Sequence, residues 1–243
     1  MTPNPLPIAP GTLYLIPVPL GPTPPETALP APVCQQARQL RHFIAENAKS
    51  ARAFLKSIQI GVPLQEIQIK ELNEHTNAAD LPRLLEDLRL GIDVGLVSEA
   101  GCPGVADPGA DLVRLAHQEN IPVAPLVGPS SLLLALMGSG LCGQRFAFHG
   151  YLPAKEEERA KKLKALEQES RRLNQTQMFI ETPYRNGQML ESLTRHLPPA
   201  TLLCLASSLT LPQQRLRTQT IARWKEEEEA TAKEPTVFLF LAP

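Results

Sequence analysis

Short apolar runs of strand length alternate with helix-length segments along most of the chain. Strands are predicted over residues 13–18, 42–46, 64–70, 94–97, 146–149, 177–181, 202–206, 215–220 and 236–241, and a further short apolar run covers 122–127. Helices are predicted over residues 33–40, 49–58, 78–90, 110–117, 132–137, 155–173, 186–196 and 221–229. This alternation is typical of an α/β fold in which helices cover both faces of parallel or mixed sheets.

The helix predicted over residues 78–90 has the clearest amphipathic pattern. Its apolar side chains recur at helical spacing, at Leu81, Leu84, Leu85 and Leu88. Gly91 follows, and a glycine just past the last turn is a common way to end a helix.

A turn rich in glycine and proline, Ser98–Gly109, separates the strand at 94–97 from the next helix. In open α/β sheets, ligands bind at the carboxyl ends of the strands. Glycine lets a ligand approach the backbone, and proline fixes the local shape. The segment therefore indicates a binding loop, although taken alone it also fits a plain turn from strand to helix.

A second turn, Gly128-Pro129-Ser130-Ser131, precedes the helix predicted at 132–137. Serine at a helix start can cap free backbone N–H groups, and the same groups can bind an anion. We place the domain boundary here, with one α/β domain over residues 1–126 and a second over residues 127–243.

Composition is typical of a folded protein, and the charge balance bears on whether it binds nucleic acid. Hydrophobic residues make up 43% of the chain, enough to build a sizeable core. The 24 basic and 25 acidic residues nearly cancel, which argues against nucleic-acid binding by the field of the whole protein but leaves a local basic patch open. The charge-dense stretch at 155–173 is interpreted as a solvated helix face.

The cysteines and the N-terminal sequence indicate the redox state of the thiols and the cellular location. Cys34, Cys102, Cys142 and Cys204 lie far apart, without a C-x-x-C pair, and the five histidines show no ligand spacing. We therefore expect reduced thiols and no metal site. The sequence shows neither a signal-peptide pattern nor an apolar run of about 18 residues. We expect a cytoplasmic protein that does not cross a membrane.

Several motifs resemble one enzyme superfamily. Residues 13–21, LYLIPVPLG, resemble the first strand and loop of the tetrapyrrole methylases, which depend on S-adenosylmethionine. Ser98–Gly109 resembles the SDAGTPLISDPG loop of the branch that contains the ribose 2′-O-methyltransferases of small-subunit ribosomal RNA. Further matches follow in the same order at 45–47, 128–131, 140–155 and 179–185. The resemblance implies two α/β domains with the cofactor cleft between them, and a homodimer.

The resemblance also implies a set of residues that contact S-adenosylmethionine. These are Pro19, Leu20, Gly21, Cys102, Val105, Ser130, Ser131, Ile180 and Glu181. For the two serines, capping of the following helix is an equally good interpretation.

Methyl transfer requires an aligned acceptor and, for an oxygen acceptor, removal of a proton. Glu46, at the end of a predicted strand, is the candidate catalytic base or acceptor-positioning group, with a helix cap or an ion pair as the alternative. Glu99 is a second candidate for the same role. Arg185 suits either an anionic substrate group or a structural ion pair.

The chain departs from the ribosomal RNA branch at charged positions. Asn47-Ala48-Lys49 stands where the branch has Asp-Thr-Arg, and Glu99 stands where it has aspartate. Ser207 and Ser208 replace an arginine and a glutamate. These departures leave the methyl acceptor open between RNA ribose, a tetrapyrrole and another small molecule.

The sequence also bears on two other classes of function. The lost charged residues motivate the hypothesis of a non-catalytic relative that binds the cofactor or RNA. A nicotinamide dehydrogenase is disfavoured, because no G-x-G-x-x-G motif follows the first strand.

Overall fold

The computed structural model describes residues 9–226 and 233–243. Its contacts divide the chain between Pro129 and Ser130 into two compact units, here called unit 1 and unit 2. The boundary proposed from the sequence, between residues 126 and 127, stays a prediction.

Unit 1 is built on a parallel sheet of five strands. They are β1 (Leu13–Ile16), β2 (His42–Ala45), β3 (Gln68–Glu71), β4 (Val94–Val97) and β5 (Val123–Pro125), in the order β3-β2-β4-β1-β5. Every residue of the central strand β4 is buried. A continuous apolar run of this kind is what a parallel strand covered on both faces requires.

Helices cover both faces of this sheet, as the alternation predicted. They are α1 (Ala31–Gln39), α2 (Ala48–Ser57), α3 (Leu81–Leu84), α4 (Glu86–Arg89) and α5 (Gly109–Gln118). One buried cluster joins α1 and α2 to sheet residues such as Phe43 and Val97. The other joins α3, α4 and α5 to Ile44 and Leu96. Neighbouring residues of one strand thus enter opposite cores, because strand side chains alternate between faces.

Unit 2 contains a mixed sheet of five strands. They are β6 (Phe146–Tyr151), β7 (Thr176–Glu181), β8 (Leu202–Ser207), β9 (Arg215–Thr220) and β10 (Thr236–Leu241), in the order β6-β7-β10-β8-β9. The β6–β7 pair is parallel, and the other three pairs are antiparallel.

The helices of unit 2 are α6 (Ser131–Ser139), α7 (Glu156–Leu173), α8 (Asn186–His196) and α9 (Ile221–Glu226). The core includes the stacked rings of Phe179 and Phe238, whose centroids are 5.4 Å apart. Trp224 is also buried there, and its indole N–H donates to the Leu203 carbonyl at 3.0 Å.

Two element predictions were partly wrong. The segment 64–70 is not one strand, because Leu64–Glu66 forms a 3₁₀ turn after Pro63 and only Gln68–Glu71 is extended. The segment 78–90 is not one helix. It is a 3₁₀ turn (Ala78–Asp80) followed by α3 and α4, which are separated at Leu85.

The interruption of this helix has a local cause. Pro82 lies in the first turn of α3 and has no N–H to continue a helix from the preceding 3₁₀ turn. At Leu85 (φ −90°, ψ 0°) the chain tightens, and its N–H bonds to the Pro82 carbonyl three residues back. Leu84, Leu85 and Leu88 are nevertheless buried. The leucine spacing therefore predicted the buried face correctly but not the continuity of the helix.

The other elements agree with the predictions to within two residues at either end, and Gly91 (φ +81°) ends the leucine-rich segment as expected. Residues 227–229 of the helix predicted at 221–229 lie outside the described residues. All four cysteines are free. Within the described ranges, no helix combines the length and the apolar character needed to cross a membrane.

Candidate functional site

Three loops follow neighbouring strands at the carboxyl edge of the sheet in unit 1. Residues 17–21 follow β1, residues 98–109 follow β4, and residues 126–129 follow β5. We call them the edge loops. Because β4, β1 and β5 are adjacent and parallel, their carboxyl ends open at the same edge, where α/β sheets bind ligands.

Hydrogen bonds join the edge loops directly. Val18 and Gly101 exchange backbone bonds in both directions, with N···O distances of 2.9 and 3.1 Å. The Cys102 thiol donates to the Pro129 carbonyl at 3.4 Å. Burial raises the pKa of this thiol, which keeps it protonated and able to donate. The edge loops therefore form one connected structure.

Two glycines make the close approach of these loops possible. Gly101 has φ +73°, and a Cβ there would lie 3.2 Å from Leu20 Cδ2 and 3.3 Å from the Pro129 carbonyl oxygen. A Cβ on Gly128 would lie 2.2 Å from Pro17 Cβ. A side chain at either position would push two loops apart.

Asp107 organises the longest edge loop, a role that the sequence analysis missed. Its Oδ1 accepts hydrogen bonds from the backbone N–H groups of Gly104 (3.2 Å) and Gly109 (2.8 Å), the second at the start of α5. An aspartate three residues before a predicted helix is a recognisable capping signal.

Glu46 lies directly after β2 at the same sheet edge and is partly buried. Burial raises the pKa of its carboxyl group, and the negative charges of Asp107, Glu99 and Glu74 raise it further. These three acids follow β4 and β3, the neighbours of β2. A raised pKa makes a carboxylate a stronger base.

Among the described residues, the structure shows Glu46 in neither of its two alternative roles, a helix cap or an ion pair. The side-chain cap of α2 is Asn47, whose Oδ1 accepts from the Lys49 N–H at 2.8 Å. Among the described residues, Glu46 forms no ion pair.

Glu99, the second candidate, follows β4 and is exposed. The Ser50 hydroxyl of α2 lies within hydrogen-bond distance of both its carboxylate and the Asn47 carbonyl, and can donate its one proton to either. Glu99 is thereby held against the start of α2.

The composition of the edge loops limits what they can bind. They contain two acids, Glu99 and Asp107, and no lysine, arginine or histidine. Apolar surface is exposed on them, with Val105 50% and Val127 72% accessible, and Pro19, Leu20 and Gly21 are partly buried. Phosphate sites usually recruit cationic side chains. These loops instead suit a ligand that combines a positive centre with a flat apolar part.

The remaining predicted cofactor residues belong to unit 2. Ser130 stands at the N-cap of α6, yet its hydroxyl makes no cap hydrogen bond. Ser131 begins the helix. Ile180, partly buried, and Glu181, 5% exposed, end β7. Hydroxyl capping therefore does not account for Ser130.

Glu181 and Arg185 form an ion pair within unit 2. Glu181 Oε1 accepts from Arg185 Nε (3.0 Å), from Arg185 Nη2 (2.7 Å) and from the Thr182 N–H (2.6 Å). The Glu181 side chain is only 1% exposed. Of the two roles considered for Arg185, the structure therefore shows the ion pair within the protein.

The serines that replace charged residues of the related branch are also bonded internally. The Ser207 and Thr236 hydroxyls are 2.8 Å apart, and the Ser208 hydroxyl donates to Glu234 Oε2 at 2.6 Å.

In the part of the chain that the structure describes, no group of three or more metal-ligating side chains is present.

Comparison with known proteins gives the family. The chain is 31% identical over 236 residues to Ribosomal RNA small subunit methyltransferase I of Escherichia coli O157:H7, covering 94% of this chain and 77% of that protein. The chain belongs to this family of methyltransferases. The proteins of the same name from Synechocystis sp. (34% over 201 residues) and Micromonospora olivasterospora (36% over 183 residues) match 82% and 75% of this chain. No family model matches it.

The chain is shorter than the family members that it matches. It spans 67% of the length of the Synechocystis protein and 55% of that from Micromonospora.

Solved structures confirm the fold. The methyltransferase CobJ matches with a TM-score of 0.61 at 17% identity, over 96% of this chain and 99% of its own. The cobalt precorrin-4 methyltransferase CbiF matches with a TM-score of 0.58 at 13% identity, over 95% and 94%. A conserved hypothetical protein of Aeropyrum pernix K1 reaches 0.65 at 14% identity, over 96% and 85%. The expected tetrapyrrole methylase fold is thus confirmed.

Proposed function

We propose that this chain transfers a methyl group from S-adenosylmethionine to a ribose 2′-oxygen of small-subunit ribosomal RNA. Membership of the family supports the substrate class. The observation that carries the proposal is the position of Glu46 at the same edge of unit 1 as the connected edge loops, where its carboxylate has a raised pKa and no ion-pair partner among the described residues.

The edge loops fit the cofactor. S-adenosylmethionine supplies a methyl group bonded to a positively charged sulfur, together with a flat adenine. The loops offer acidic and apolar surroundings without competing cations. In this proposal Pro19, Leu20, Gly21, Cys102 and Val105 line the cofactor. The cofactor roles of Ser130, Ser131, Ile180 and Glu181 stay predictions.

Glu46 is the proposed base. As the 2′-oxygen forms its bond to the methyl carbon, the sulfur–carbon bond breaks and the hydroxyl proton passes to the Glu46 carboxylate. Burial and the neighbouring acids favour the protonated form, so they strengthen Glu46 as a proton acceptor.

The test compares Glu46→Gln with Glu66→Gln in methyl transfer to small-subunit ribosomal RNA. Gln keeps the shape of the side chain but cannot take the proton, so kcat should fall about 100-fold in Glu46→Gln. Glu66 is exposed and is not among the acids that raise the Glu46 pKa, so it is the matched control and should keep nearly full activity. Calorimetry should show equal S-adenosylmethionine binding in both variants. Full activity of Glu46→Gln would remove Glu46 from catalysis.

We also propose that the protein is a homodimer, as the resemblance implies. A supporting feature is an exposed apolar face of unit 2, where Leu133, Met137 and Phe146 line a surface groove of about 410 Å³. Exposed apolar patches commonly mark association surfaces. The mass from light scattering decides the point, and a monomeric mass at micromolar concentration would contradict the proposal.

A further inference from the structure

Helix α2 carries a stripe of positive charge on its outer side. Lys49, Arg52 and Lys56 occupy positions i, i+3 and i+7, which lie on one side of a helix, and all three are exposed. The opposite side, with Phe54 and Leu55, is buried in unit 1. We call these three residues the α2 stripe.

The charges of the α2 stripe are not used within the described residues. None of the three side chains forms an ion pair there, and the helix itself contains no aspartate or glutamate. Arg52 Nη1 donates a single long bond, 3.5 Å, to the Ala48 carbonyl. Lys49 in the first turn opposes the helix dipole, so helix stability does not explain its position.

The α2 stripe begins beside the proposed base. Asn47 caps the helix and directly follows Glu46, so Lys49 stands three positions from that carboxylate along the chain. From Lys49 to Lys56 the helix rises roughly 10 Å, with the cations at fairly even intervals. The residues flanking the stripe, Ala53 and Ser57, are small and leave the cations accessible.

We propose that the α2 stripe binds the phosphate backbone of the acceptor RNA strand and leads a ribose toward Glu46. The inference rests on the proposed function. A regularly spaced line of cations suits a chain of phosphates, and phosphate contacts fix the register of a nucleic acid on a protein. The stripe has no large apolar neighbour on its exposed side, unlike a membrane-binding helix. The net charge of −1 means that such binding is local.

The experiment compares two triple variants with equal loss of charge. The test variant is Lys49→Gln, Arg52→Gln, Lys56→Gln. The control is Lys161→Gln, Lys164→Gln, Arg172→Gln in α7, whose three side chains are also exposed and form no ion pair among the described residues. Glutamine forms helices about as well as lysine and arginine, so both variants should fold.

Binding of a fluorescein-labelled single-stranded oligoribonucleotide is measured by anisotropy over a series of salt concentrations. Each lost phosphate contact on a single strand reduces the slope of log affinity against log salt by about 0.7, so the test variant should lose about 2. The control should keep the wild-type slope. In methyl-transfer assays the test variant should raise KM for RNA more than it lowers kcat.

Each outcome has a distinct meaning. Equal slopes in the two triple variants would overturn the proposal, and so would competition by polyglutamate as strong as that by unlabelled RNA. A reduced slope in a protein that transfers no methyl group would support the α2 stripe but contradict the proposed function. Methyl transfer to RNA by the wild type, together with an unchanged slope in the test variant, would support the proposed function but contradict the role of the α2 stripe.

Discussion

A carboxylate lies near each end of strand β2, and the two differ in the charge of their neighbours. At its start, Asp87 of α4 accepts hydrogen bonds from His42 Nδ1 (3.0 Å) and Lys70 Nζ (2.9 Å). Burial opposes ionisation of Asp87, but these two partners outweigh it and lower its pKa. Past the other end of β2, Glu46 has acidic neighbours and a raised pKa.

The two carboxylates differ in their partners, because Asp87 is bonded to His42 and Lys70 whereas Glu46 has acidic neighbours. Asp87 and its partners join α4 to β2 and β3, so this charge contributes to the fold. Glu46 gains nothing comparable from its neighbours. Charged groups that are left without an opposite partner tend to mark functional sites. Both clusters belong to unit 1, and Glu46 lies at the sheet edge from which the edge loops extend.

The largest expected effect comes from filling the binding edge. Val105 is half exposed, so Val105→Arg should fold normally but place a long cation where the methyl donor is proposed to bind. We expect S-adenosylmethionine affinity to fall about 100-fold, equivalent to roughly 2.7 kcal/mol. Calorimetry measures it, with melting temperature as the control for folding. Unchanged affinity would remove the edge loop 98–109 from the cofactor site.

Breaking the paired cluster should instead cost stability. Asp87→Asn removes the charge that His42 and Lys70 share, and we expect a loss of about 1–2 kcal/mol at pH 7 without a change in cofactor affinity. The Asp87 pKa is lowered in the folded protein. The stabilisation is therefore complete above the unfolded value of about 3.9 and is lost as pH falls through the folded value.

Denaturation of Asp87→Asn and wild type at several pH values checks this prediction. The difference in unfolding free energy should be constant from pH 7 to about 5 and shrink below about 4. A difference that persists unchanged at low pH would show that Asp87 acts by packing rather than by charge.

The smallest effect is expected at the other end of β2. Glu46→Gln removes like-charge repulsion and should stabilise the protein by about 0.5 kcal/mol or less at pH 7, although it lowers activity. Because the folded pKa of Glu46 is raised, the gain should vanish as pH falls toward about 4.3, where wild-type Glu46 is protonated. Denaturation over the same pH series measures it. Destabilisation instead would assign Glu46 a structural role.

The sequence predicted the parts of this molecule that depend on local pattern. The strand at 94–97, a helix start within one residue of Gly109 and the helix end at Gly91 all follow from neighbouring residue types. The edge loops were recognised as a unit only through their resemblance to a family. Spacing alone gives no sign that Val18 would bond to Gly101, since 82 residues separate them.

Other features could not be predicted because they depend on distant partners. The pairing of Asp87 with His42 and Lys70 joins three elements whose register no local pattern specifies. The same holds for Ser208, whose partner Glu234 lies on a different segment of the chain. The break at Leu85 was missed because the leucine spacing that indicates a buried face is also satisfied by two short helices joined at a tight turn.

The bridge between Val18 and Gly101 has a consequence for how this enzyme can be altered. The bridge uses backbone atoms only, so it does not depend on which side chains stand nearby. Residues such as Cys102 and Val105 can therefore be exchanged in a mutant library while the frame that presents them stays in place. In the proposed function, the loop 98–109 is therefore a suitable starting point for redesigning methyl-donor specificity toward bulkier sulfonium analogues.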